Sequence, residues 1–161
     1  MVRQPKPKDF PAIHAVVAAA FGREAEALIV EGVRAEGAAL LELVAEEDGK
    51  IVGHVLFNRM TCEPQRRIAG LGPVAVTPDV QSRGYGEALC KAGIEALRQM
   101  GAEAVVVLGH PTYYPRFGFS HEMTANIASR FAERPAFMAM ELVPGVLAVP
   151  VKVDYPRSFG A

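Results

Sequence analysis

From Leu71 to Met100 the chain reads as a short apolar strand, a turn built around two glycines, and an amphipathic helix. Leu71–Val76 is the strand. Thr77-Pro78-Asp79-Val80 and then Gln81-Ser82-Arg83-Gly84-Tyr85-Gly86 make the turn. Glycine lets a backbone bend sharply and approach a ligand closely. A helix that starts in such a turn aims its unpaired N–H groups, and the positive end of its dipole, at whatever the loop holds. The segment therefore predicts an anion site suited to a diphosphate-bearing cofactor. Gly101 closes the helix and Ala104–Leu108 is a short continuous apolar run. Strand, turn, helix and strand in so little sequence form a βαβ unit, so the two strands should be parallel.

The helix has two faces. Glu87, Lys91, Glu95 and Arg98 lie on one, with Glu87 and Lys91 in the favourable i,i+4 order. Tyr85, Leu89, Gly93, Ala96 and Met100 lie opposite and are expected against a sheet. Upstream, Asp9 and Pro11 mark a helix start, and that helix should run to Phe21 and stop at Gly22. A second helix is expected from about Arg23 to Glu36. Leu40–Glu46 and Ile51–Asn58, joined through Asp48-Gly49, predict a hairpin. Glu63–Arg67 reads as a loop and Ile68–Val76 as a buried central strand. Pro111 to Phe117 predicts a short helix closed by Gly118. Ala136–Val143 and Val146–Val153 look like two late strands joined at Pro144-Gly145, and Ala125–Pro135 like a loop with room for a helical turn. The pattern fits one mixed α/β domain over residues 1–161.

Composition narrows the partners. The chain has 161 residues, half of them apolar, and a formal net charge of −1. It lacks the basic surplus that nucleic acid binding draws on. Apolar runs such as Ala15–Phe21 and Ala104–Leu108 fall far short of the ~20 residues of a membrane span. Met1-Val2-Arg3-Gln4-Pro5 carries no signal-like apolar core, and the two cysteines, Cys62 and Cys90, do not suggest a disulfide framework. A cytoplasmic protein is expected, with no nucleic acid partner, no membrane partner and no metal.

Three kinds of glycine loop compete for the anion. A P-loop needs Gly-Lys-Ser/Thr, which is missing. A dinucleotide fingerprint needs a small third residue, but Leu89 stands there, and the motif should open the fold rather than follow several strands. The third kind fits. Gln81-Ser82-Arg83-Gly84-Tyr85-Gly86 matches Gln/Arg-x-x-Gly-x-Gly/Ala, the strand Leu71–Val76 precedes it, and Tyr114-Pro115-Arg116-Phe117-Gly118-Phe119 follows the next strand. Together these resemble the GNAT superfamily of acetyl-CoA-dependent N-acetyltransferases, in element order over nearly the whole chain. The nearest likeness is to a bacterial subgroup of small proteins that share Tyr-Tyr-x-Arg-Phe-Gly-Phe and a late strand like Ala136–Leu142.

The resemblance implies a central mixed sheet, flanked by helices, whose two parallel strands splay apart to admit pantetheine. Backbone groups around Val74, Ala75 and Val76 would hold that arm. Gln81, Ser82, Arg83, Gly84, Tyr85 and Gly86 would hold the pyrophosphate, with Arg83 adding charge. Tyr114 matches the general acid for the leaving thiolate. The implied reaction transfers acetyl from acetyl-CoA to a primary amine, on a small molecule or a peptide, by a monomer or homodimer. A non-catalytic acyl-CoA-binding module is the competing reading. Phe21, Glu24 and Asn58 are suggested for the acceptor side. His54, Glu63, His110 and Glu122 are conceivable bases, none singled out by spacing. His110 departs from the asparagine or acid that many family members carry near there. His14 lies on a surface helix, and a Cys62–His54 nucleophile pair has nothing to fix its geometry.

Overall fold

Apolar residues recur at every second position in Leu41–Ala45, and Asp48-Gly49 supplies the positive φ of a tight turn (Asp48 at 53°). The expected hairpin forms there. A computed structural model describes residues 1–160. In chain order the elements are β1 (Val2–Arg3), α1 (Phe10–Phe21), α2 (Ala25–Ala35), β2 (Ala39–Glu47), β3 (Lys50–Arg59), β4 (Thr61–Glu63), β5 (Ile68–Val76), α3 (Tyr85–Gln99), β6 (Ala104–Leu108), β7 (Ile127–Ala128), β8 (Phe137–Glu141) and β9 (Val151–Asp154). Short 3-10 turns, among them Tyr114–Phe117, connect them. Among the described residues no helix is long and apolar enough to cross a membrane.

One mixed sheet of six strands, in the order β1-β2-β3-β5-β6-β8, organises the molecule. Its neighbours are antiparallel except β5 and β6, which are parallel as the βαβ reading required. On one face α3 packs Leu89 and Leu97 against Phe57, Leu71, Val105 and Met138. On the other, α1 and α2 cover the sheet through Ile13, Val17, Val30, Val44 and Leu56. A second sheet, β4-β9-β7, closes over the end of that face, where Cys62, Val151 and Val153 meet Ile68, Val106 and Phe137. Period-two burial explains the split: Val105 and Val107 face α3, while Ala104 and Val106 face the small sheet.

Three expectations need correction. Val146–Val153 does not form one strand paired to β8. Gly145 has φ of 84°, Val146–Ala148 is a 3-10 turn whose Leu147 N–H donates to Glu141 at 2.9 Å, and β9 begins only after Pro150. β9 then pairs with β4 and β7, so strands form at Thr61–Glu63, reaching the first residue of the expected loop, and inside Ala125–Pro135. On α3 the buried stripe is Leu89, Cys90, Gly93, Ile94 and Leu97, and Met100 is exposed. The bulkier Cys90, Ile94 and Leu97 turn the helix away from Ala96, and Met100 falls at its cap.

Candidate functional site

The site begins where two parallel strands stop pairing. β5 and β6 are in register from Ile68–Ala104 to Leu71–Val107, and there the ladder ends. β5 runs on to Val76 along β3 alone, through a bulge that sets Val55 opposite Val74 but Phe57 opposite Leu71. Gly72 and Pro73 form the bulge. Gly72 sits at φ of 133°, where a side chain is strained, and Pro73 has no N–H to leave unpaired.

Beyond the bulge the backbone has a free edge. The Thr77 N–H donates to the Val52 carbonyl at 2.9 Å, so alternation turns the Ala75 amide groups toward β3 and those of Val74 and Val76 away from it. The Val76 carbonyl accepts from the Gln81 side chain at 3.0 Å. Val74 and Val76 therefore border a slot, and Ala75 buries its methyl beneath α1.

At one end of the slot is a cradle of about 440 Å³ lined by Val76, Gln81, Ser82, Gly84, Tyr85 and Gly86, with Tyr113 and Arg116 opposite. Ser82 (φ 70°) and Gly84 (φ 87°) alternate with ordinary residues, the backbone pattern of an anion-binding nest. Within the described residues no backbone N–H from Ser82 to Gly86 finds a partner. The two cations nearby are already engaged. Arg83 reaches Glu47 at 3.4 Å, and Glu47 also accepts from the Tyr85 hydroxyl. That hydrogen bond, with burial behind it, raises the Tyr85 pKa. Arg116 lies 4.1 Å over the Tyr113 ring and reaches Glu87 at 3.4 Å.

At the other end is a cavity of about 350 Å³. Its floor is Leu71–Val74, and Leu108–His110 and Tyr114 form one wall. Tyr114 lies against the end of β6 because Gly109 has no side chain; a Cβ there would sit 2.4 Å from its ring. Tyr113 and Phe119 pack edge-on at 5.1 and 6.0 Å. Burial raises the Tyr114 pKa well above that of an ordinary phenol. Gly86 faces Tyr113 at the cradle end, where a Cβ would stand 3.5 Å from the Tyr113 hydroxyl and 3.8 Å from Val76.

The family model described as an acetyltransferase (GNAT) domain matches residues 1–121. The chain belongs to the GNAT acetyltransferase family. It is 35% identical over 163 residues to the uncharacterized N-acetyltransferase YhbS of Escherichia coli K12, covering 99% of this chain and 98% of that one. It is 45% identical over 114 residues to the uncharacterized N-acetyltransferase YjhQ of the same strain, a match of 66% of this chain and 62% of that longer relative. Among solved structures, YhbS from Escherichia coli in complex with CoA superposes with a TM-score of 0.93 at 31% identity, covering 100% of this chain and 92% of that one. A GNAT family acetyltransferase from Brucella melitensis in complex with acetyl-CoA superposes at 0.83 with 33% identity, covering 99% and 97%.

Set in the GNAT fold, the candidate residues separate by place. Val74, Val76, Gln81, Ser82, Gly84, Tyr85, Gly86 and Tyr114 gather along the slot, and Arg83 lies at its rim on Glu47. Of the conceivable bases only His110 lines the cavity. His54 is fully buried beneath α1 and α2, 2.7 Å from Glu42, and has no nucleophile role with Cys62, which is part of the small sheet and buried in a separate cluster. Glu63 and Glu122 are exposed elsewhere. On the acceptor side Phe21 lines the cavity, but Glu24 bonds His14 at 3.1 Å and Asn58 is buried under Gly70. Glu26, Ile29, Phe131, Tyr155 and Phe159 line it instead. Glu26 borders the buried stripe Ala27-Val30-Val33 of α2, a spacing that does not by itself tell a cavity-facing charge from a solvated one. The aromatic residues come from irregular chain, where periodicity carries no signal.

Proposed function

We propose that the protein transfers acetyl from acetyl-CoA to a primary amine by direct attack. What carries this reading is the slot: a parallel pair that unzips after Leu71–Val107, with unpartnered amides at one end and an apolar cavity at the other. The crystal structures of similar proteins with CoA and acetyl-CoA support it.

The diphosphate would rest on the N–H groups from Ser82 to Gly86, where charge-assisted hydrogen bonds replace water. Pantetheine would bond the Val74 and Val76 edge like an added strand, with Ala75 holding that edge to β3. The amine nitrogen forms a bond to the thioester carbonyl carbon, and a backbone N–H of β5 on the Val74 side, where the cavity and Tyr114 lie, donates to the oxygen as charge develops there. The carbon–sulfur bond then breaks and the sulfur leaves with its electron pair. It takes the Tyr114 hydroxyl proton, the nitrogen gives its surplus proton to solvent, and the Tyr114 phenolate regains a proton from solvent before the next turnover. Burial keeps the phenol protonated at neutral pH, the state a general acid needs. The same dry surroundings raise the basicity of the departing thiolate, which brings the two groups toward a match.

Acetyl-CoA with a panel of primary amines, followed by thiol release, tests the reading. Amine-dependent release is the expected result. Tight CoA binding with no release on any amine would favour a binding module.

A further inference from the structure

The cavity beyond Tyr114 has a one-sided chemistry. Phe21, Ile29, Phe131, Tyr155 and Phe159 give it apolar and aromatic walls. Glu26 is the single carboxylate on its lining, and no lysine or arginine lines it among the described residues. Glu26 lies in the first turn of α2 and is largely covered, with 15% of its side chain exposed. Arg23 donates to its two oxygens from Nε at 3.0 Å and Nη2 at 2.5 Å, and Arg23 itself stands 67% exposed outside the cavity. A carboxylate has about four acceptor sites and Arg23 takes two of them, so acceptor capacity remains on a residue that lines the cavity. The hydrogen bond from Arg23 lowers the Glu26 pKa, so the group is an anion at neutral pH and a poor proton acceptor. It suits holding a cation better than deprotonating one.

Resting on the acetyl-transfer reading, we infer that Glu26 anchors the acceptor's ammonium group as it enters, that this nitrogen gives one proton to solvent before it attacks, and that the acceptor is a small primary amine with an apolar body. At about 350 Å³ the cavity lies at the low end for small-molecule sites, ~300–1,000 Å³. An amine flanked by its own carboxylate would meet Glu26 with only the His110 ring, and no lysine or arginine, on the lining to balance it. Arg130 and Arg134 stack at 4.7 and 5.2 Å on Phe131 without lining the cavity, and the Arg23 guanidinium is already engaged by Glu26. A polyamine would bring further charges into aromatic walls, where desolvation disfavours them.

The test reads binding and turnover separately. Ligand-observed NMR measures 2-phenylethylamine, phenylalanine and spermidine against the CoA-saturated protein, or the free protein should CoA not bind. The inference expects 2-phenylethylamine to bind at least about tenfold tighter than the other two, as loss of one charged hydrogen bond or its burial cost would dictate. Glu26→Gln should weaken it about tenfold or more, and Arg23→Gln should not, because the carboxylate stays ionised at pH 7.5. Unchanged affinity in Glu26→Gln, equal loss in Arg23→Gln, or preference for phenylalanine or spermidine overturns the inference. Acetyl transfer to spermidine without 2-phenylethylamine binding leaves the proposed activity standing alone. Selective binding without transfer does the reverse.

Discussion

Tyr114 depends on a residue five positions earlier. Its ring lies where a Gly109 side chain would be, and its neighbours Tyr113 and Phe119 hold it edge-on. Tyr114→Phe keeps that packing and removes only the proton. It should lower kcat about 10²–10⁴-fold, the usual scale of general acid catalysis, with CoA affinity unchanged; stopped thiol release and calorimetry check both. Gly109→Ala forces the ring to move and should lower kcat without weakening CoA binding, since the diphosphate loop lies at the other end of the slot. Equal turnover in that variant would place the Tyr114 hydroxyl outside the reaction. At this scale the glycine loop and the tyrosine were legible because each belongs to a short local pattern. Glu26 was not, because a charge near the start of a helix looks the same in sequence whether it faces water or a cavity.

Helices and strands carry their own tests. α3 approaches the sheet so closely that a Cβ at Gly93 would stand 2.2 Å from the Phe57 ring. Gly93→Ala should therefore destabilise by about 1–3 kcal/mol through overpacking, visible as a fall of several degrees in Tm. Beneath the opposite helices, burial lowers the His54 pKa although Glu42 opposes the shift, so His54 is neutral in the folded protein. Burial works against Glu42 too, but the hydrogen bonds from His54 and Arg34 win and hold its pKa to about 2. The unfolded chain binds a proton at His54 below its ordinary pKa of about 6.5, and the folded chain does not. Stability from this group is complete above pH 6.5 and declines as the pH drops, by at most about 1.4 kcal/mol per pH unit. His14 works in the opposite sense, since the hydrogen bonds it donates to Glu24 and Glu31 raise its pKa. The check is therefore the difference between wild type and His54→Asn: Tm should depend less on pH between 5 and 6.5 in the variant. The order of strands and helices was legible from period and turn residues. The partner of β9 was not, because Val151–Asp154 alternates equally well in a hairpin with β8 or in a separate sheet.

For the whole molecule, binding energy must appear as stability. A ligand at 100 times its Kd adds about 2.7 kcal/mol to a folded protein, which for a chain of this length is about 5–10 °C in Tm. CoA should produce such a shift, and ATP or NAD at equal concentration should not. The fold as a whole could be anticipated because its βαβ unit and hairpin are local. The splay of β5 from β6 could not be read from residue types alone, since Leu71–Val76 is as apolar as a strand paired along its full length. It follows from Gly72 and Pro73 only once the register with β3 is known. The measurement that tests the account most directly is a crystal structure of this protein with acetyl-CoA. The account predicts pantetheine amides bonded to Val74 and Val76, the diphosphate on the amides of Ser82–Gly86, and the thioester sulfur within hydrogen-bond reach of the Tyr114 hydroxyl. Acetyl-CoA bound elsewhere, with β5 and β6 paired past Leu71, would contradict it.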